Sequence, residues 1–547
     1  MRLPKTLQKN AYLAPEVQAV SVDSPIGGWD AISPLAKMDP KFAVVLDNWV
    51  PRTAYVEMRK GYKSWVQSIN TAPVETLMVY RPVNGAEAMF AASGGSIYNV
   101  STSGSSVSVL SGKASNRWQY INFTPANGSN YLYAVNGADQ PILWNGLVWA
   151  NPTITGVNAA NLRNVYVHKR RIWFVQNQST SAWYLATDAI QGAATQLDIG
   201  ALLTKGGYLV AVGTWTIDGG LGPDDYAVFA SSRGELVIYK GTDPSNASAW
   251  SLVGVFDFPP PLGYRCFLRM GSDLWIITTQ GVIPVSQGLP FDPAGSRSAA
   301  ITARIQNAML LAGAAGQNIF GWQLISYPNE ALAILNVPIT ENALQYQYVT
   351  NLLTGAWCRF TGWNANTFEI FNDLLYFGDN TGNVNLAYSG SADLVSPISA
   401  DLKCAFNCFG DPSRLKRMTM VEPLLVTSGD VTPTISVDVD FSDNSPSAPI
   451  SNIPPKGAVY DISVYDSSFY ASGNVILTSW LSTEAQGRAL ALRMKINALP
   501  TGIGSPVFDT GVFDVMVFDG VVSAAGTADA TIQLNAFNAL VEYGANV

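Results

Sequence analysis

The chain has 547 residues and a net charge of −8, with 48% hydrophobic, 11% aromatic and only 13% charged residues. An acidic protein is a poor candidate for tight nucleic-acid binding, which needs phosphate neutralisation, and the four cysteines are too few for a disulfide framework. No apolar run is long enough to span a bilayer and residues 1–20 carry no signal-peptide pattern, so we expect a chain made in a reducing cytoplasm without stable membrane insertion. Low charge with many Thr, Val, Tyr and Trp residues predicts an all-β protein.

Residues 1–72 are predicted to form an extended N-terminal segment that joins or braces the rest of the molecule. Prolines recur along it, at Pro4, Pro15, Pro25, Pro34, Pro40 and Pro51. Proline removes a backbone donor and interrupts regular elements. We therefore expect this segment to lie across another surface.

Short apolar strands, most of them framed by turn residues, recur between residues 73 and 400. They are 95–100, 130–135, 171–175, 235–239, 273–277, 331–335 and 373–377. Their centres are separated by about 35, 40, 65, 38, 58 and 42 residues, whereas a four-stranded propeller blade takes about 40–50 residues. The pattern predicts a β-propeller of about six to seven irregular blades. The two long gaps predict insertions near 177–225 and 285–330, and the second contains a helical pattern at Ala299–Gly313.

Residues 401–547 lose this spacing and are predicted to form an added C-terminal domain. Alternating apolar residues occur at 434–440, 490–496, 512–518 and 530–537. Alternation of this kind is typical of half-buried antiparallel strands. We expect a small β-sandwich-like domain.

The chain offers few residues for catalysis or metal binding. His168 is its only histidine, which excludes two-His metal sites and leaves little room for a Ser-His-Asp triad. Asp509-Thr510-Gly511 matches the aspartic-protease tripeptide, but that chemistry needs two carboxylates and no second copy exists. Cys404 and Cys408 have neither a second cysteine pair nor a histidine nearby. We predict no catalytic, cofactor or metal site.

Two basic clusters and one aromatic pair leave alternatives open. The basic clusters are Lys169, Arg170 and Arg171, and Arg414, Lys416 and Arg417. Each is interpreted either as a solvated face or as a contact to a lumen or a partner. Trp357 and Trp363 fit packing between blades or, as the alternative, a sugar-binding platform.

Three stretches resemble structural proteins of short-tailed bacteriophages. The first comprises Gly27-Gly-Trp-Asp30, Met38-Asp-Pro40, Leu46-Asp-Asn-Trp49 and Arg59-Lys-Gly-Tyr62. The second is Tyr346–Trp363 leading into Asn372–Gly378. The third is Arg414–Pro423. Together they resemble the tail nozzle family, also called tail tubular protein B or phage stabilisation proteins. The resemblance spans most of the chain and contains no catalytic signature.

The resemblance implies a non-enzymatic virion protein without a cofactor. Six propeller subunits with added β domains would form a ring at the distal end of the tail, docking an adaptor and tail fibres or spikes. The ring would enclose the exit channel for genomic DNA without sequence-specific binding. The elements near 177–225 and Ala299–Gly313 are candidates for its gate or a fibre-docking surface. The alternatives are a propeller that binds or cleaves glycans, which for cleavage needs a pair of converging carboxylates, and a monomeric scaffolding propeller.

Overall fold

The computed structural model describes residues 16–218, 223–290, 295–427, 433–442, 475–477, 479–497 and 531–546. Nearly all of its regular structure is β-strand, which confirms the predicted fold class. Within this part of the chain, none of the helices has the length and apolarity needed to cross a bilayer.

Seven antiparallel sheets follow one another along the chain as the blades of a propeller. Blade 1 contains Val74–Tyr80, Ala88–Ser93, Ser96–Asn99 and Val107–Leu110. Blade 2 contains Gln119–Phe123, Tyr131–Val135, Ile142–Trp144 and Trp149–Ala150. Blade 3 contains Leu162–His168, Arg171–Gln176, Ser181–Tyr184 and Thr195–Asp198. Blade 4 contains Leu209–Asp218, Pro223–Ser231, Glu235–Gly241 and Trp250–Asp257.

The remaining three blades complete the ring. Blade 5 contains Phe267–Met270, Asp273–Thr278 and Gly281–Pro284. Blade 6 contains Gln323–Tyr327, Leu332–Thr340, Leu344–Asn351 and Trp357–Phe360. Blade 7 contains Ala365–Phe371, Leu374–Asp379, Val384–Ala387 and Tyr62–Val66. The first strand of each blade is the innermost one, and the inner strand of blade 7 packs beside that of blade 1.

An N-terminal strand closes the propeller. Tyr62–Val66 pairs antiparallel with Val384–Ala387 and forms the outer strand of blade 7. The propeller therefore includes residues before position 73, where the sequence placed its start. This arrangement joins the two ends of the propeller in one sheet, so opening the ring would expose an unpaired strand edge.

The first long gap between recurring strands has a simple cause. In blade 3 the recurring segment is the second strand, Arg171–Gln176, whereas in blade 4 it is the third strand, Glu235–Gly241. The second strands of these blades begin at Arg171 and Pro223, a spacing close to one blade. The described part of residues 177–225 therefore contains strands of blades 3 and 4 at ordinary blade spacing, and the predicted insertion there is corrected.

The second long gap contains the helices. They follow blade 5 and comprise Val285–Gly288, Ser296–Ala299 and Gln306–Gly316. Short 3-10 turns lie at Leu35–Lys37, Ala159–Asn161, Gly200–Leu202, Ala303–Ile305 and Pro328–Glu330. The last helix packs against the second strand of blade 6, with Met309 and Ala312 buried. Blade 5 is thus covered by helices where the other blades have a fourth strand.

A second β module contains strands from both ends of the chain. One sheet comprises Trp49–Pro51, Val56–Met58, Ile532–Asn546, Arg414–Thr427 and Val475–Leu477, with Glu16–Asp23 and Leu481–Gly487 paired at its sides. The other continues blade 6 through Phe42–Asp47, Ala400–Cys404, Leu490–Ile496 and Thr434–Val439, with Gly28–Trp29 paired to the first of these. Apolar side chains of the two sheets share one core. The predicted C-terminal domain is therefore completed by N-terminal strands. The predicted strand at 512–518 lies outside the described residues.

Short pairs complete the β structure. Ile154–Thr155 pairs in parallel with Gly192–Ala193. Ala392–Asp393 pairs with Ser396–Pro397 and adjoins Tyr62–Val66. The latter pair covers the outer edge of blade 7.

Candidate functional site

Residues of the first two phage-like stretches meet where the N-terminal strands join blade 6. Arg359 donates from Nε and Nη2 to the two carboxylate oxygens of Asp47, at 2.7 and 2.6 Å. The Arg359 guanidinium also lies 5.6 Å from the ring centre of Trp29, which packs edge-on against Tyr348. Gly28 has φ +85°, and a Cβ there would lie 2.6 Å from the carbonyl oxygen of Trp357. Only glycine fits this close approach.

A second part of this junction is centred on Arg59, whose side chain is fully buried. Its guanidinium donates to both carboxylate oxygens of Asp393, at 2.8 and 2.6 Å, and to the carbonyl oxygen of Thr361 at 2.7 Å. Its Nε donates to the Asn48 side chain at 2.8 Å. The guanidinium lies 4.9 Å from the ring centre of Trp363. The residues that carry the phage resemblance here hold the module to the propeller.

Trp357 and Trp363 are both buried, with 1% and 0% exposure. Packing between elements is therefore confirmed for them. A sugar-binding platform needs exposed ring faces, so this pair does not form one.

Lys169, Arg170 and Arg171 lie at and beside the hairpin turn between the first two strands of blade 3. Lys169 and Arg170 have φ of 48° and 59°, as a two-residue hairpin turn of type I′ requires. Their partners are Asp225, Asp188 and Asp243, at 2.9, 2.5 and 3.1 Å respectively. Each cation therefore has a carboxylate beside it, and the cluster is not an unpaired basic patch.

Arg414, Lys416 and Arg417 lie on the strand Arg414–Thr427 of the second module. Lys416 is fully buried, and its Nζ donates to the carbonyl oxygens of Asp411, Arg414 and Arg488. Burial lowers the pKa of this amine. Lys416 therefore has no surface to offer a lumen or a partner, a correction to the sequence prediction.

The other two members of this cluster reach the surface. Arg414 donates to the carbonyl oxygen of Gly544 at 2.9 Å. Arg417 is half exposed and lies 3.8 Å from a carboxylate oxygen of Glu542. The strand's two-residue period separates the exposed Arg417 from the buried Lys416.

The remaining sequence motifs do not form a reactive site among the described residues. Cys404 is buried and Cys408 half-buried, and no described group of three or more His, Cys, Asp or Glu side chains is arranged to hold a metal ion. Asp509-Thr510-Gly511 lies outside the described residues.

The single histidine ends the first strand of blade 3, beside the hairpin turn, and is buried. His168 is 2% exposed, its Nδ1 lies 2.9 Å from the Thr214 hydroxyl oxygen, and its ring packs edge-on against Trp250. Burial, with a smaller contribution from the charge of Lys169, lowers its pKa from 6.5 to about 4. The imidazole is therefore neutral in the folded protein at pH 7.

His168 makes stability depend on pH. Between pH 6.5 and about 4 the unfolded chain binds a proton at this residue that the folded chain does not, so stability falls as the pH is lowered through this window. We expect a loss of about 2–3 kcal/mol from this group between pH 7 and 4.5. Urea unfolding at both pH values should show a smaller difference for His168→Asn than for the wild type. Equal differences for the two proteins would contradict the prediction.

The centre of the propeller contains two adjoining cavities rather than an open tube. One, of about 310 Å³, lies where the chain enters the inner strands of blades 2 to 6. The other, of about 240 Å³, lies farther along the inner strands. Gln119, Tyr264 and Arg265 line both.

Arg265 crosses the axis between these cavities. It precedes the inner strand of blade 5, and its Nη2 donates to the carbonyl oxygen of Glu75 at 3.0 Å and the Thr76 hydroxyl at 2.8 Å, both of blade 1. The carbonyl oxygen of Trp118, beside blade 2, lies 3.4 Å away. The side chain thus links three blades and blocks the channel. Burial lowers the pKa of Arg265 to about 10.

The larger cavity contains two further arginines, Arg117 and Arg163. Together with Arg265 we call them the arginine triad. They were not predicted from the sequence because they are widely separated along the chain. Their shared signal is position, since each stands at or within two residues of the start of a blade's inner strand.

No family model and no curated protein matches the chain. Among solved structures it is similar to the WD40 β-propeller domain of Doa1, with 8% identity, a TM-score of 0.38 and coverage of 60% of this chain and 96% of that one. It is also similar to BBS1N in complex with ARL6DN, with 10% identity, a TM-score of 0.37 and coverage of 60% and 97%. The computationally designed Ika8 protein matches at 9% identity, a TM-score of 0.35 and coverage of 60% and 99%. These similarities concern the propeller fold and carry no functional argument.

Proposed function

We propose that this chain is a structural subunit that assembles with its own copies into a ring around a channel, as the distal tail nozzle of a short-tailed bacteriophage. The class comes from the three phage-like stretches. The observation that supports assembly into a ring is an exposed apolar strand edge on blade 4.

The outer edges of the blades differ in how they are covered. Helices cover blade 5, Phe42–Asp47 adjoins the outer strand of blade 6, and Ala392–Asp393 adjoins that of blade 7. Among the described residues, the outer strands of blades 1 to 4 have no further strand beside them. Three of these are short, with two to four residues, but Trp250–Asp257 of blade 4 has eight.

The outer strand of blade 4 also exposes apolar side chains. Leu252, Val253 and Val255 are 42%, 48% and 36% exposed. A long apolar edge with unpaired backbone groups is a template for pairing with another chain, and soluble proteins usually protect such edges. A second copy of the chain is the partner that a ring would place here.

The propeller's own channel does not fit DNA. Arg265 blocks it, and the cavities on either side hold only about 310 and 240 Å³. These spaces are too small for a DNA duplex, whose major groove alone is about 12 Å wide. In the proposed ring the DNA passage lies between subunits. The net charge of −8 favours a wall that genomic DNA slides past without sequence-specific binding.

The partners of the proposed nozzle follow from the resemblance. They are the tail adaptor and a tail fibre or spike, with the protein located in the virion and having no enzymatic activity. The junction around Arg59 supports this mechanical role, because it ties the N-terminal segment to Thr361, which follows blade 6, and to Asp393, which lies beside blade 7.

Mass photometry of the purified chain tests the assembly. We expect wild-type particles with the mass of six subunits, and monomers for the double variant Leu252→Lys/Val253→Lys, because two charges on the edge oppose strand pairing. Ser108→Lys, on the short outer strand of blade 1, is the matched control and should assemble normally. A wild-type monomer that hydrolyses oligosaccharides would overturn the proposal in favour of a glycan-cleaving propeller.

A further inference from the structure

The arginine triad is only partly neutralised. Arg117 pairs with Glu75, at 2.9 Å, and with Glu341. Among the described residues, neither Arg163 nor Arg265 has an ion-pair partner. The nearest carboxylates act on them only from beyond ion-pair distance, Glu75 on both and Glu369 on Arg265. Two cations without a direct carboxylate contact in one cavity are costly unless an anion joins them.

Both of these arginines have a donor nitrogen without an acceptor. Nη1 of Arg265 and Nε of Arg163 are buried, and no described group accepts a hydrogen bond from either. Burial lowers the pKa of both guanidinium groups, and the charge of Arg117 lowers that of Arg163 further. The folded chain therefore contains two poorly solvated cations, each with a buried N–H donor that has no acceptor.

Aromatic rings hold the guanidinium groups in place around the cavity. Arg117 and Arg265 lie 4.5 and 5.0 Å from the ring centre of Phe320. Arg163 lies 4.4 Å from that of Tyr264, and its Nη1 donates to the carbonyl oxygen of Asn136 at 3.0 Å. Stacking fixes the planar groups without using up their donors.

We propose that the larger cavity of the propeller binds a compact oxyanion, a small molecule bearing carboxylate or phosphate groups, between Arg163 and Arg265. Its volume of about 310 Å³ lies at the lower end of the range of about 300–1,000 Å³ for small-molecule sites. Planar guanidinium groups match the geometry of carboxylate and phosphate oxygens. The site is independent of ring assembly.

The site is tested by calorimetric titration and thermal unfolding of the full chain. Citrate and pyrophosphate are the carboxylate and phosphate probes, with sodium chloride at matched ionic strength as the reference. We expect at least one of them to bind and to raise Tm above the chloride reference, because a ligand that binds only the folded state stabilises it. Which probe binds more tightly distinguishes the two sources of oxyanion.

Two variants and a control locate the effect. Arg163→Gln and Arg265→Met should each weaken binding at least about tenfold, as expected for losing a charge-assisted hydrogen bond. Arg170→Gln, at an exposed residue paired with Asp188, should bind like the wild type. Arg265 also links blades, so its replacement tests folding as well as binding. If Arg265→Met is not obtained folded, Arg163→Gln alone tests the site.

Three results would overturn the site. They are no binding of either anion to the wild type, equal binding by the wild type and Arg163→Gln, and binding of a glutamate-rich peptide in the absence of binding by the small anions. The last result would assign the cavity to an acidic protein segment instead.

Discussion

Replacing Arg59 with methionine is expected to lower the free energy of unfolding by about 3–5 kcal/mol, the usual cost of removing one partner of a buried ion pair. The change leaves the Asp393 carboxylate, which is 11% exposed, without its cation. It also removes the donors to Asn48 and the Thr361 carbonyl, and the cation over Trp363. Four segments of the chain lose their common contact at once.

Urea unfolding measures this loss, and Arg170→Met is the matched control. Arg170 also pairs with an aspartate, but its side chain is 56% exposed, and exposed pairs are worth about 0–1 kcal/mol. Adding Asp393→Leu to Arg59→Met should recover part of the stability, because no unpaired buried carboxylate then remains. An Arg59→Met protein within about 1 kcal/mol of the wild type would contradict the role assigned to this junction.

A chain that begins at Gln67 is expected to be recovered aggregated or unfolded. It lacks Tyr62–Val66, the closing strand of blade 7, and Phe42–Asp47, which joins blade 6 to Ala400–Cys404. Both losses expose strand edges that invite pairing between chains. Expression in the soluble fraction and circular dichroism measure the outcome.

The matched control for this deletion is a chain that begins at residue 16, which keeps every described contact. Co-expression of residues 16–66 with the chain from residue 67 should restore soluble protein, since the closing strand pairs without needing a covalent link. Wild-type solubility and unfolding temperature for the chain from residue 67 alone would show that the N-terminal strand does not close the propeller.

The repeated blades were predictable because each blade is a local unit. Turn signals and apolar strands within about 50 residues specify it. The error at residues 177–225 arose because the strongest apolar strand is the second one in blade 3 and the third one in blade 4. Apolarity alone does not number the strands within a blade.

The contacts between the chain ends were not predictable from local patterns. Phe42–Asp47 pairs with Ala400–Cys404 across more than 350 residues, and no turn signal connects them. The alternation at 434–440 and 490–496 correctly predicted strands there. Their partners at the N-terminus depend on the tertiary fold.

In the candidate site, too, local sequence features were predictable and contacts between distant residues were not. The basic clusters were visible as runs of charge, yet each charge in blade 3 has an aspartate partner brought from elsewhere in the chain. Arg163 and Arg265 are single charges in sequence, and only the ring of blades brings them to one cavity. Side chains that meet across a propeller leave no signal in sequence spacing beyond their place near the start of an inner strand.

Electron cryomicroscopy of the purified full chain, alone and on isolated tails, tests most directly whether this protein encloses a channel between its subunits. We expect closed rings of six in which the Trp250–Asp257 edge of each subunit lies in a contact with its neighbour, while Arg265 blocks the centre of every propeller. Monomers under both conditions, with that edge facing solvent, would contradict the proposed ring.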